Sequence, residues 1–186
     1  PPASYAGPDQ DLCNAYSTTL SGSIPAGTAT GAWEYVFAPS IPTIIDPTDP
    51  NTTIEDLVEG TYTMRWVVSN GVCEDSTDLV EINVFDLPVS DAGADVQLCA
   101  EYETNLNGNE PDGSSTGEWS VLSSPSAPTF DDATLYNALI SDLEEGVYEL
   151  MWTVSNGTCP PETDTVFMTV YDMPISDARD DASYCD

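Results

Sequence analysis

Two stretches of the chain alternate apolar and polar side chains with a period of two. Tyr62, Met64, Trp66 and Val68 interleave with Thr63, Arg65 and Val67; after Asn70-Gly71, Val80, Ile82 and Val84 interleave with Glu81 and Asn83. A strand sends successive side chains to opposite faces, so each run predicts a strand with one dry face. Asn-Gly suits the positive φ of a tight turn, so the pair predicts a hairpin. The same pattern returns in Tyr148, Leu150, Trp152 and Val154, then Asn156-Gly157, then Val166, Met168 and Val170. Shorter strands are expected around Leu12, Leu20, Trp33 and Ile54, and around Leu98, Leu106, Trp119 and Ile140. No stretch sustains the helical period of 3.6.

The return is an internal repeat. Cys13 and Cys99, Trp33 and Trp119, and Tyr62 and Tyr148 are each 86 residues apart, and 40 of 86 positions are identical between residues 1–86 and 87–172. Residues 173–186 match the start of the same pattern, which reads as a third copy cut short. The expected organisation is a first repeat over 1–86, a second over 87–172 and a truncated third over 173–186. About seven short strands in each 86-residue copy predict an all-β chain of tandem sandwiches. Asp56 to Tyr62 and Asp142 to Tyr148 read as corners in which a Tyr entering the penultimate strand returns its hydroxyl to nearby backbone. The four Trp residues lie on strand patterns and are expected in the core.

Cys13 and Cys73 are 60 residues apart, as are Cys99 and Cys159. One pair per copy at equal spacing predicts one disulfide within each domain, Cys13–Cys73 and Cys99–Cys159. Closing such a loop stabilises by roughly 4 kcal/mol in the chain-entropy model. Cys185 is left without a partner. Disulfides place the chain in an oxidising, extracytoplasmic setting. No Cys-x-x-Cys spacing supports a structural zinc site.

The charge narrows the function further. Thirty-three Asp and Glu face two Arg, with no Lys and no His, for a net charge of −31. Phosphate backbones and anionic membrane surfaces both demand cations, so nucleic acid and direct membrane contact are excluded as partners. Without His, Ser-His and Cys-His catalysis is excluded as well. The acids have two readings. One is a solvated anionic surface that keeps strung domains soluble. The other is calcium, the one cofactor this composition offers, held by six to eight oxygens at the linker between copies. That linker supplies Asp86, Asp91 and Asp95, and Asp172, Asp177 and Asp181 repeat the set. Asp46 and Asp132, and Asp78 and Asp164, are expected to cap turns instead. Paired carboxylates can hydrolyse glycosides, but among 33 acids proximity is expected by chance. The chain is therefore read as not an enzyme.

Ala6-Gly7-Pro8-Asp9-Gln10-Asp11-Leu12-Cys13, then Leu20-Ser21-Gly22 and Gly31-Ala32-Trp33, resemble the PKD and Ig-like repeats of very large bacterial surface proteins. So does the run from Glu59-Gly60-Thr61-Tyr62 to Ser69-Asn70-Gly71-Val72-Cys73. Such repeats fill surface proteins of Bacteroidetes, gliding-motility-type adhesins among them. The resemblance implies tandem immunoglobulin-like, PKD-like β-sandwiches, export to the cell surface by a type IX route, and no catalytic residue. It also implies O-linked sugar at Ser76 or Thr165, where Asp75-Ser76-Thr77 and Asp164-Thr165-Val166 resemble the acceptor sites of that group.

Two functions follow. In the first, the repeats form an extended stalk, filament or adhesin spacer in attachment or motility, with Pro88 and Pro174 stiffening the linkers. Its partners are neighbouring repeats, surface polysaccharide and other surface proteins. In the second, each repeat grips a glycan or protein through exposed aromatics among Tyr5, Tyr16, Tyr35, Phe37 and Tyr102. Against the second, Tyr35 becomes Val121 and Phe37 becomes Ser123 in the next copy.

Overall fold

The computed structural model describes residues 3–177, so Asp181 and Cys185 lie outside the described residues. Its strands are β1 (Gln10–Cys13), β2 (Thr18–Thr19), β3 (Thr30–Phe37), β4 (Thr43–Ile44), β5 (Thr53–Glu55), β6 (Gly60–Ser69), β7 (Ser76–Phe85), β8 (Val96–Cys99), β9 (Thr104–Asn105), β10 (Thr116–Ser123), β11 (Thr129–Phe130), β12 (Leu139–Ser141), β13 (Gly146–Ser155) and β14 (Glu162–Tyr171). Among the described residues no helix is long and apolar enough to cross a membrane. By internal contacts the chain forms two units. Unit 1 runs through Val89 and adds Pro111–Thr116 and Val154–Glu162; unit 2 comprises Ser90–Glu110, Gly117–Thr153 and the chain from Thr163.

The first sandwich packs a four-stranded sheet, ordered β1-β7-β6-β3, on a three-stranded sheet, ordered β2-β5-β4. Strands β6 and β7 pair antiparallel, whereas β1 runs parallel to β7. The second sandwich repeats this arrangement as β10-β13-β14-β8 and β11-β12-β9, with β8 parallel to β14. The two-residue period does what the sequence leads one to expect. Along β6 buried and half-buried positions alternate, and Tyr62, Met64, Trp66 and Val68 enter a core with Leu20, Trp33, Ile54, Val80, Ile82 and Val84. Tyr148, Leu150, Trp152 and Val154 bury the matching face of β13. Each such side chain contributes about 1.5–3 kcal/mol by leaving water.

Both tyrosine corners form. The Tyr62 hydroxyl accepts the Val58 N–H at 2.9 Å and lies 2.8 Å from Ser40 Oγ. The Tyr148 hydroxyl accepts the Glu144 N–H at 2.7 Å and lies 2.7 Å from Ser126 Oγ. These are buried polar groups with their partners supplied. Replacing Tyr62 with Phe is expected to leave the Val58 N–H unsatisfied and to cost about 1–3 kcal/mol in urea unfolding.

One expectation is refined and one corrected. The expected hairpin forms, with β6 antiparallel to β7, but Asn70-Gly71 sits in a longer connection, since β6 ends at Ser69 and β7 begins at Ser76. In it, Asn70 folds back so that its Oδ1 accepts the N–H groups of Val72 at 3.0 Å and Cys73 at 2.9 Å. The larger correction concerns the disulfides. Cys13 bonds to Cys159, and Cys73 and Cys99 carry free, exposed thiols, so neither Cys13–Cys73 nor Cys99–Cys159 exists. The register gives the reason. Cys13 stands opposite Phe85 at the far end of β7, and Cys73 precedes the start of that strand. A strand of that length spans about 30 Å. A disulfide needs Cα atoms within about 7 Å. Cys99 is likewise opposite Tyr171 at the far end of β14, while Cys159 precedes its start.

Candidate functional site

The Cys13–Cys159 link sits in a built site within unit 1. Cys13 ends β1, and the next residue turns sharply: Asn14 has φ 48 and donates its N–H to Phe85 O at 2.8 Å. Cys159 follows the loop Asn156-Gly157-Thr158, whose turn is closed by the Cys159 N–H donating to Asn156 O at 2.9 Å. The two Cα atoms lie 5.0 Å apart. Gly157 is pressed so closely to Phe85 that a Cβ there would stand 2.3 Å from the ring. Any other residue would push the loop, and the cysteine with it, off its seat.

Glu59 joins the same site from the segment before β6. Asn156 is only 2% exposed, and its amide is nevertheless satisfied on both ends. Its Nδ2 donates to Glu59 Oε1 and to Asp86 O, both at 3.0 Å. Its Oδ1 accepts from Ser114 Oγ at 2.7 Å, and that hydroxyl is also 3.0 Å from Glu59 Oε1. A buried amide with all these partners holds one geometry. The neighbouring cleft, about 140 Å³ and lined by Glu59, Asp86, Pro88, Asp112 and Asn156, is smaller than a typical small-molecule site.

The Asn156 amide, followed by the Ser114 hydroxyl, holds the Glu59 carboxyl below its usual range against an opposing effect of burial. A carboxyl with a lowered folded pKa adds stability that is complete above the unfolded value, near 4.3, and is lost as pH falls through the folded one. Acid titration of the melting temperature is therefore expected to show a loss below about pH 4.3 that is smaller in Glu59→Gln. Equal acid limbs in the two proteins would remove Glu59 from the site.

The other residues singled out by sequence take separate roles. Asp86, Asp91, Asp95, Asp172 and Asp177 are all exposed. Asp86 accepts the Tyr16 hydroxyl at 3.0 Å, and Asp172 accepts the Tyr102 hydroxyl at 2.8 Å. These bonds push both phenols up. Asp91 Oδ1 accepts the Gly93 N–H, and Asp95 Oδ1 accepts the Phe167 N–H. Among the described residues no three Asp, Glu, Cys or His side chains gather to hold a metal. Asp46 and Asp132 do cap turns, and bonds from Thr48 and Thr134 hold their carboxyls low. Asp78 and Asp164 instead accept the N–H groups of Ala6 and Ala92, both at 2.8 Å. The Ser76 hydroxyl lies 2.9 Å from Ser4 Oγ, while Thr165 is exposed on β14. Tyr5, Tyr16, Tyr35, Phe37 and Tyr102 are all exposed.

Sequence reasoning missed Glu59, Ser114 and Asn156. Glu59 is one of 33 acids, and Asn156 is already accounted for by its turn, so neither stood out.

No family model matches the chain, and no curated protein matches it. Solved structures do. Sidekick-1 immunoglobulin domains 1–4 match at TM-score 0.60 and 11% identity, over 89% of this chain and 47% of theirs. Titin domains I67–I69 match at TM-score 0.53 and 12% identity, over 92% of this chain and 66% of theirs. The PKD domain of the KIAA 1837 protein matches at TM-score 0.41 and 22% identity, over 47% of this chain and 92% of its own. The chain thus has the fold of tandem immunoglobulin-like sandwiches, and it spans about half the length of the Sidekick-1 fragment.

Proposed function

We propose that the chain is a non-catalytic spacer segment of an extracellular surface protein, carrying load in an extended stalk or adhesin. The observation that carries this reading is the Cys13–Cys159 bond, whose partners are 146 residues apart in sequence. Tension applied to the ends of the chain crosses that bond and bypasses almost everything between. A disulfide is also suited to an oxidising, extracytoplasmic setting. The resemblance of the repeats to those of large Bacteroidetes surface proteins supports gliding-motility-type adhesion and a type IX route for the parent protein. We read the carboxylates as hydrogen-bond acceptors and solvating charge.

The second reading, a ligand site on each repeat, rests on the exposed Tyr35 and Phe37 at the edge strand β3. A panel of surface polysaccharides and glycans separates the two. A spacer is expected to bind none saturably. Binding that disappears in Tyr35→Val with Phe37→Ser, the residues of the second repeat, would replace the spacer reading with a binding module.

A further inference from the structure

The Cys13–Cys159 bond is open to water on one side only. Cys159 is 6% exposed, with its Sγ 3.6 Å from Phe85 O and its loop seated by Gly157 on the Phe85 ring. Cys13 is half-buried and ends β1, an edge strand of its sheet. A disulfide is exchanged when a thiolate attacks one of its sulfurs and expels the other. Access therefore favours attack on Cys13 and departure of Cys159.

An attacking thiolate meets charge of one sign. Asp11 lies two residues before Cys13 and so on the same face of β1. Asp86 follows Phe85, the register partner of Cys13, and lines a cleft with Glu59, Asp112 and Asn156. Bonds from Asn156 and Ser114 hold the Glu59 carboxyl low, so it is ionised at neutral pH. The chain has two Arg and no Lys or His. Arg65 is paired with Glu34 and stands opposite Leu79, about 20 Å along β7 from Phe85. That is well beyond the ~8 Å over which charge acts at physiological salt. Arg179 lies outside the described residues. Reactive cysteine sites ordinarily owe their thiolate to a nearby cation. Here the incoming thiol has to bring the cation with it.

We propose that Cys13 Sγ is the point at which thiols open this bond, and that the carboxylates around it select thiols carrying a positive charge over those carrying a negative one. In the first step the small thiolate bonds to Cys13 Sγ. The Cys13–Cys159 bond breaks, and Cys159 leaves with the electron pair and takes up a proton. In the second step another small thiolate attacks the one held on Cys13 and frees the Cys13 thiol. Two small thiols are oxidised to one small disulfide, and the protein disulfide is reduced to two thiols. A positive thiol is concentrated at the site by the same charges that repel a negative one. Glutathione, which is negative overall, is thus a poor reductant of this bond, and an aminothiol is a good one.

The selection follows from the bond and its surroundings and does not depend on the spacer reading. For the test, free thiols are first blocked with a neutral alkylating reagent. The folded, oxidised chain is then treated with cysteamine, mercaptoethanol or thioglycolate, which are positive, neutral and negative. Each rate is divided by that of the same thiol on a small uncharged disulfide, which removes differences in intrinsic reactivity. At about 0.01 M salt, where charge reaches ~30 Å, cysteamine is expected to lead thioglycolate by about thirtyfold. At about 1 M salt, where it reaches ~3 Å, the lead is expected to fall to about threefold or less. Asp86→Asn keeps an acceptor for the Tyr16 hydroxyl and is expected to shrink the low-salt lead about threefold. Peptide mass on the trapped intermediate is expected to place the small thiol on Cys13. Four results overturn the inference: the small thiol on Cys159, no lead for cysteamine at low salt, a lead that high salt leaves unchanged, or a bond that no thiol opens in the folded chain. Each of them leaves the Cys13–Cys159 load path, and so the spacer reading, untouched.

Discussion

A single chain pulled by its two ends is expected to lengthen by roughly 500 Å more after reduction than before, at the ~3.3–3.6 Å that each extended residue spans. Cys13 and Cys159 are 146 residues apart in sequence and 5.0 Å apart in space, so the bond hides nearly that whole contour from the force. Oxidised, only the segments outside the loop can pay out. Pairing within each repeat gives a different record. Each loop of 60 residues would then hide about 200 Å, released in two separate steps. Reduction also has a thermodynamic effect. A loop of this length is worth about 5 kcal/mol in the chain-entropy model, so the melting temperature of the reduced chain is expected to fall by many degrees. A chain whose extension is the same with and without reductant would end the load-bearing account.

The second large effect lies in the core. Trp66→Ala and Trp152→Ala are each expected to cost about 3–5 kcal/mol in urea unfolding. Both rings are 0% exposed, and each packs at a tilt against a second Trp, Trp33 or Trp119, with centroids 5.0 Å apart. Their indole N–H groups are also spoken for, Trp66 by Ser23 O and Trp152 by Asn109 Oδ1, both at 3.0 Å. The rings fit so closely that a Cβ on Gly31 or Gly117 would stand 2.1 Å from Trp66 or Trp152. Gly31→Ala and Gly117→Ala are therefore expected to destabilise markedly as well. Leu79→Ala, at a position 53% exposed, serves as the control and is expected within about 0.5 kcal/mol of the parent. A Trp66→Ala protein as stable as that control would contradict the packing described.

How far the sequence could be read depended on which force decided each feature. Burial decides the faces of β6, β7, β13 and β14, and burial leaves a period, so Tyr62, Trp66, Tyr148 and Trp152 were legible. Strands β4 and β11 have two residues each, too short to show any period, and they left no signal. The disulfide partners were hidden for another reason. Joining Cys13 to Cys73 or to the equivalent cysteine one repeat on respects the same 86-residue repetition, so spacing alone cannot choose. The choice is made by β1 lying parallel to β7, which carries Cys13 to the end of the sheet away from Cys73. Parallel pairing of a first strand with a last one is a long-range outcome of topology, not of local composition. Glu59 was invisible because only its neighbours in space, Asn156 and Ser114, distinguish it from the other carboxylates.

The most direct test is to map the disulfides of the purified, non-reduced chain by peptide mass. With two Arg and no Lys, trypsin cuts too rarely, so a protease directed at acidic residues is needed. The expected result is a linked pair of peptides carrying Cys13 and Cys159, with no link from Cys13 to Cys73 or from Cys99 to Cys159. Linked peptides carrying Cys13 with Cys73, and Cys99 with Cys159, would contradict it.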